Sequence, residues 1–119
     1  MKYVLAFLLM FSSLAFAGVG SPTTTSLKVI DTIDIQLLNG EVYYYFKPVG
    51  GNWSATGCEA AKAAYIKKSA NGADALLSMA LTAKATKTSV QVRGHCGNNE
   101  GLGPSVEFIY MNFMTLMPN

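Results

Sequence analysis

The chain carries few side chains suited to catalysis. Its one histidine, His95, stands next to Cys96, and Ser89 and Ser105 have no base at a recognisable spacing. A nucleophile needs an oriented base within hydrogen-bond reach, and acid–base chemistry needs paired carboxylates or a tuned imidazole. Neither pattern occurs, nor does a phosphate loop or a zinc motif, so no catalytic residue, metal ligand or cofactor is assigned and the chain reads as a non-enzyme. Cys58 and Cys96 are the only two cysteines. Their spacing is not CxxC, and in an exported chain an even count favours one disulfide over a redox pair or a metal site. Closing that loop would stabilise a small domain by about 4 kcal/mol on the chain-entropy view.

Aromatic rings beside hydrogen-bonding groups offer another chemistry, since a sugar presents an apolar face and a ring of hydroxyls. Asn39-Gly40 is the dipeptide a two-residue type I′ hairpin turn demands. Pairing outward from it sets Leu37 opposite Val42, Ile35 opposite Tyr44 and Ile33 opposite Phe46, all on one face. The other face pairs Gln36 with Tyr43, Asp34 with Tyr45 and Thr32 with Lys47. Asp34, Gln36, Tyr43 and Tyr45 are therefore the candidate ligand-binding residues. The competing role for the tyrosines is to cover the sheet or a subunit interface. Trp53, the only tryptophan, lies in the Gly-rich loop 48–57. It joins the candidates as a stacking residue, although closing over the core is the plainer role. Asn52-Trp53-Ser54 matches the glycosylation acceptor pattern and is taken as chance.

The elements that position these groups follow from periodicity. Asn71 is placed to cap a helix, with Asp74 at its third position near the positive end of the dipole. Ala73, Leu76, Leu77, Met79, Ala80, Leu81 and Ala83 form one broad apolar face of that helix. From Thr88 the period changes to two, so Val90, Val92 and Cys96 point one way and Gln91, Arg93 and His95 the other. Asp31 interrupts the apolar row of Val29, Ile33 and Ile35, which points to a bulge, a bend or the strand leaving the sheet. Residues 59–68 are ambiguous: Glu-Ala-Ala-Lys-Ala-Ala-Tyr has helical propensity, while a strand over 60–67 completes the order of elements. The strand reading is adopted. After Cys96 a turn-rich loop runs to Pro104, and residues 105–113 are apolar on both faces. Val106, Phe108 and Tyr110 lie on one face and Ile109, Met111 and Phe113 on the other. Residues 114–119 read as a tail.

Residues 1–17 have the form of a secretory signal peptide: Lys2, an apolar run over 4–11, and Ala15-Phe16-Ala17 as a small-x-small cleavage site. Cleavage near Ala17 predicts a secreted or periplasmic protein with no membrane insertion, a flexible N-terminal segment over 18–26 and a single domain over 27–119. Of nine basic side chains Lys2 leaves with the signal, so eight face seven acidic ones. A balance of +1 with no basic run excludes a broad nucleic-acid-binding field.

The order strand, strand, strand, helix, strand, strand makes a mainly β chain with one helix, of the α+β class. It is the order of the five-stranded Greek-key barrel called the OB-fold, with the helix plugging the barrel after the third strand. The run Gly-Ala-Asp-Ala-Leu-Leu-Ser-Met-Ala-Leu-Thr-Ala over 72–83, followed by Val90-Gln91-Val92-Arg93-Gly94, resembles the pentameric B subunits of bacterial toxins of the subtilase-cytotoxin and pertussis-toxin type. There a strand, an acid-then-aliphatic helix, a short turn and a Val-x-Val strand follow one another, as Ile66, residues 74–85, Lys87 and residues 90–92 do here. The resemblance spans 58–112 and implies an exported, non-catalytic binding module for a cell-surface glycan. No sugar-contacting residue of those subunits is carried over to a position in this chain. The alternative expectation is a self-associating structural or periplasmic protein, a homo-oligomer formed through the two-sided strand over 106–113.

Overall fold

The computed structural model describes residues 22–98 and 107–117. Seven elements follow in order: β1 (Pro22–Thr24), β2 (Ile30–Leu38), β3 (Glu41–Pro48), β4 (Ala64–Lys67), α1 (Ala73–Thr86), β5 (Ser89–Asn98) and β6 (Glu107–Met117). The fold is mainly β with one helix among the described residues. Its strands form one six-stranded sheet in the order β1-β5-β6-β4-β3-β2. Neighbours are antiparallel except β4 with β6, which run parallel.

This differs from the expected five-stranded barrel in two respects. A sixth strand, β1, pairs with the outer edge of β5, and no ladder joins β2 to β5. The chain entering β2 meets β5 at a single bridge, Lys28 with Val90, whose two N···O distances are 3.0 and 2.8 Å. Residues 22–26, the described part of the stretch expected to be flexible, are held there by their threonines. The Thr25 N–H donates to the Val92 carbonyl at 2.9 Å, and the Thr25 hydroxyl oxygen accepts the Val92 N–H at 2.9 Å. Thr23 and Thr25 are buried because each hydroxyl also has a backbone carbonyl to bond.

The hairpin forms in the expected register. Asn39 and Gly40 have φ of 52° and 77°, the left-handed values a type I′ turn needs. Leu37 pairs with Val42, Ile35 with Tyr44 and Ile33 with Phe46, while Gln36 meets Tyr43 and Asp34 meets Tyr45. The register shifts between Ile30 and Thr32, so Asp31 sits at a bulge. In the ambiguous alanine-rich segment, Ala64–Lys67 is extended and residues 59–63 form a turn and irregular chain. Tertiary pairing overrides helical propensity here, because Ala64 and Ile66 enter the main core while Tyr65 serves the opposite face.

Helix α1 is seated on alanines. Gly72, in a left-handed conformation at φ 84°, occupies the cap position and no side chain caps the helix, which corrects the capping role expected for Asn71. Ala73, Ala80 and Ala83 are buried and Leu76 and Leu77 partly so, whereas Met79 and Leu81 face outward. The buried stripe is thus narrower than the expected face, and its small side chains let the helix lie close to the sheet. The Lys87 N–H closes the helix on the Ala83 and Lys84 carbonyls.

Strands β5 and β6 carry the longest ladder. Val90, Val92 and Cys96 enter the core, and the register shifts between Arg93 and Gly94. Gly94 lies against the Tyr110 carbonyl, where any Cβ would collide with backbone. Across that bulge Met111 pairs with Gly94 and Phe113 with Arg93, so Asn112 is the extra residue and the alternation of β6 reverses. Met114 therefore enters the core, and Phe113, expected on the face of Ile109 and Met111, turns outward with the Arg93 guanidinium 5.2 Å from its ring centre. β6 also continues to Met117, through part of the expected tail. Cys58 and Cys96 form the disulfide, with Cα atoms 5.6 Å apart. The segment expected to be a signal peptide and Val106 lie outside the described residues.

Two cores result. Phe46, Trp53, Ile66, Val90, Val92, Ile109, Met111 and the disulfide pack beneath α1. On the other face Tyr43, Tyr45, Tyr65 and Phe108 pack together with Tyr110 at their margin.

Candidate functional site

Three of the five candidate residues converge on one cleft. Asp34 and Gln36 from β2 and Tyr45 from β3 line it, joined by Lys47, Lys62, Ala63 and Phe108. The cleft has a volume of about 350 Å³. The antiparallel register builds it: Asp34 stands opposite Tyr45, and Lys47 is the next residue on the same face of β3. β4 sets Tyr65 beside Tyr45, and β6, parallel to β4, brings Phe108 against both.

The floor is aromatic and rigid. The Tyr45 and Phe108 rings meet edge to face with centres 6.2 Å apart, and Tyr43 stacks on Tyr45 at 6.2 Å. The rim is polar. Lys47 pairs with Asp34 at 2.9 Å, both side chains about half exposed. The Tyr45 hydroxyl donates to Gln36 Oε1 at 2.6 Å, which leaves the Gln36 NH2 group as the donor end of the amide. Carboxylate, amide and two ammonium groups thus border an apolar floor. The arrangement can hold a small polar ligand by hydrogen bonds and ring contact, and it contains no nucleophile with an oriented base.

Tyr43 and Trp53 lie elsewhere. Tyr43 is buried among Tyr45 and Tyr65, with the Lys67 ammonium 5.8 Å from its ring centre. Tyr43 and Tyr45 are each only 4 % exposed, so their rings mainly cover the sheet, the competing role the sequence offered for them. Trp53 is fully buried in the core under α1 and donates its indole N–H to the Phe46 carbonyl at 3.0 Å. It closes the core and is not brought to the cleft. Asn52 bonds the Ser54 N–H and the Glu59 carbonyl, which ties its loop down.

Lys62 and Phe108 were missed in the sequence. Lys62 lay in the segment of ambiguous structure, and Phe108 reaches the cleft only through the parallel β4–β6 pairing. Lys47 carried a usable signal, because it shares the outward hairpin face with Tyr45. His95 is exposed on β5, away from the cleft. In the described part of the strand expected over 106–113, Phe108 and Tyr110 face one core and Ile109 and Met111 the other, while Phe113 is exposed.

A second polar cluster pins the helix to the hairpin. The Tyr44 hydroxyl donates to Asp74 Oδ1 at 2.8 Å, and Lys68 Nζ lies 3.1 and 3.2 Å from the two Asp74 oxygens. The Tyr44 bond, then the Lys68 bond, holds the Asp74 carboxyl below the usual carboxylate range. The Asp74 bond correspondingly raises Lys68. Among the described residues no group of histidine, cysteine and carboxylate side chains could hold a metal ion, and no helix is long and apolar enough to cross a membrane. Comparison of the chain with family models, with curated proteins and with solved structures gives no match.

Proposed function

We propose that the protein is an exported, non-catalytic binding module whose cleft takes a saccharide. The observation that carries this reading is the pairing of an aromatic floor, Tyr45 and Phe108, with a rim of Asp34, Gln36, Lys47 and Lys62 in a space of about 350 Å³. That volume falls at the small end of ligand sites, the size of one or two sugar rings. Carboxylate and amide bond vicinal hydroxyls, while the small part of the Tyr45 and Phe108 rings left open at the floor meets the apolar C–H face.

The strand order supports an OB-type arrangement. With β1 set aside, the remaining order β2-β3-β4-β6-β5, with the helix between the third and fourth strands in sequence, is that of the Greek-key barrel. The Lys28–Val90 bridge lies where such a barrel closes. This arrangement agrees with the resemblance to toxin B subunits, and with it a cell-surface glycan is the natural ligand class.

The test is a screen of the purified protein against immobilised saccharides, repeated with Asp34→Ala and Lys47→Ala. Binding to a defined set of sugars that either substitution weakens about tenfold is expected, the effect of one charge-assisted hydrogen bond. Absence of binding across the screen, or binding indifferent to both substitutions, refutes the proposal.

A further inference from the structure

We propose that a second copy of this chain pairs along the free edge of β2, making an antiparallel dimer with a twofold axis through Ile35. β2 is the last strand of the sheet order and pairs with β3 alone. Leu38 and Glu41 flank the two-residue turn and form its hydrogen-bonded pair, so Gln36 and Asp34, at alternate positions, bond to β3 as well. Ile33, Ile35 and Leu37 therefore point their backbone N–H and C=O groups away from β3, and those groups have no partner among the described residues.

The side chains of the same residues add to this exposure. Ile35 is 65 % exposed and Leu37 73 %, although they share a face with Phe46 and the helix-backed core. Edge strands of monomers are usually blunted by lysine, proline or a short length, because an open apolar edge templates pairing with another chain. β2 is nine residues long and contains neither lysine nor proline. Its bulge at Asp31 lies at the far end, and its two carboxylates are the only charges.

What pairs with it is set by the strand's own sequence, Ile-Asp-Thr-Ile-Asp-Ile-Gln-Leu-Leu. A twofold interface requires a self-complementary strand. With the axis through Ile35, the outward-pointing backbone groups of Ile33, Ile35 and Leu37 meet those of Leu37, Ile35 and Ile33 of the second copy. Their apolar side chains then form one continuous row. On the opposite face Asp34 meets Gln36 of the second copy on both sides of the axis, an acceptor facing an amide. The register shifted so that Asp34 faces Asp34 is disfavoured by charge.

Light scattering of the purified protein, with a cross-linking variant, tests this directly. A dimer at micromolar concentration is expected, and Ile35→Lys with Leu37→Lys should weaken it on the order of a hundredfold by setting like charges along the joint. Leu81→Lys, on the exposed side of α1, should leave it unchanged. Ile35→Cys should give a disulfide-linked dimer on mild oxidation, because directly opposed strand residues lie about 5.5 Å apart between Cα atoms. A monomer throughout, an assembly indifferent to the double lysine variant, or an Ile35→Cys protein that assembles without cross-linking overturns the proposal.

Discussion

The two faces of the sheet are both apolar, yet they are filled by different chemistry. Under α1 the filling is mostly aliphatic and sulfur-rich, with Phe46 and Trp53 fully enclosed, Tyr44 reaching Asp74 at its margin, and alanines from the helix pressed against it. On the opposite face tyrosines and Phe108 cover the strands and leave a polar-rimmed cleft at their margin. An aliphatic face is finished once it is covered, whereas a tyrosine face keeps hydroxyls to organise neighbours, as Tyr45 does for Gln36. On the proposed function, the first face secures the fold and the second presents groups to a ligand. Substitutions on the two faces should therefore separate stability from binding.

The largest loss is expected where the helix-backed face is tied covalently. Replacing Cys58 and Cys96 together by alanine should lower the unfolding free energy by about 4 kcal/mol, read from urea denaturation. Next, Ala80→Leu forces extra volume under α1, where Ala80 is fully enclosed, and should cost about 1–3 kcal/mol. On the cleft side Lys47→Ala removes a half-exposed ion pair and should change stability by less than about 1 kcal/mol while weakening saccharide binding. If Lys47→Ala destabilised the chain as much as Ala80→Leu, the division of labour between the faces would be wrong.

The smallest effect is expected at the pin between helix and hairpin. The Asp74 carboxyl is held below its ordinary range, so the stabilisation from Tyr44 and Lys68 is complete above the unfolded carboxylate's titration. It is lost as pH falls through the lowered folded value. Lys68 is raised, so its share persists through neutral pH and is lost only in strong alkali as pH passes the raised folded value. Asp74→Asn should flatten the acid limb of a thermal-stability profile slightly, an effect kept small by the exposure of both side chains.

How much of this was legible depended on whether local and long-range signals agreed. The hairpin was readable to the residue pair because Asn39-Gly40 and the alternation of β2 and β3 demand one register. The extended state of β4 contradicted its alanine-rich propensity and could be inferred only from the order of elements. β1 was hidden because Pro-Thr-Thr resembles a loop, and its threonines are buried through hydroxyl bonds that no hydropathy pattern reports. The Asn71 cap failed because Gly72 adopts the left-handed conformation that starts α1. In the cleft, Asp34, Gln36 and Tyr45 followed from alternation alone. Phe108 did not, because it arrives through a parallel pairing between strands that are far apart in sequence.

The most direct test follows backbone amide resonances while mono- and disaccharides are titrated into the protein. A saccharide held in the cleft requires saturable shifts concentrated at Asp34, Gln36, Tyr45, Lys47, Lys62 and Phe108, with the helix-backed core unmoved. No saturable shift with any sugar, or shifts gathered on the helix side of the sheet, would contradict a binding cleft on the tyrosine face.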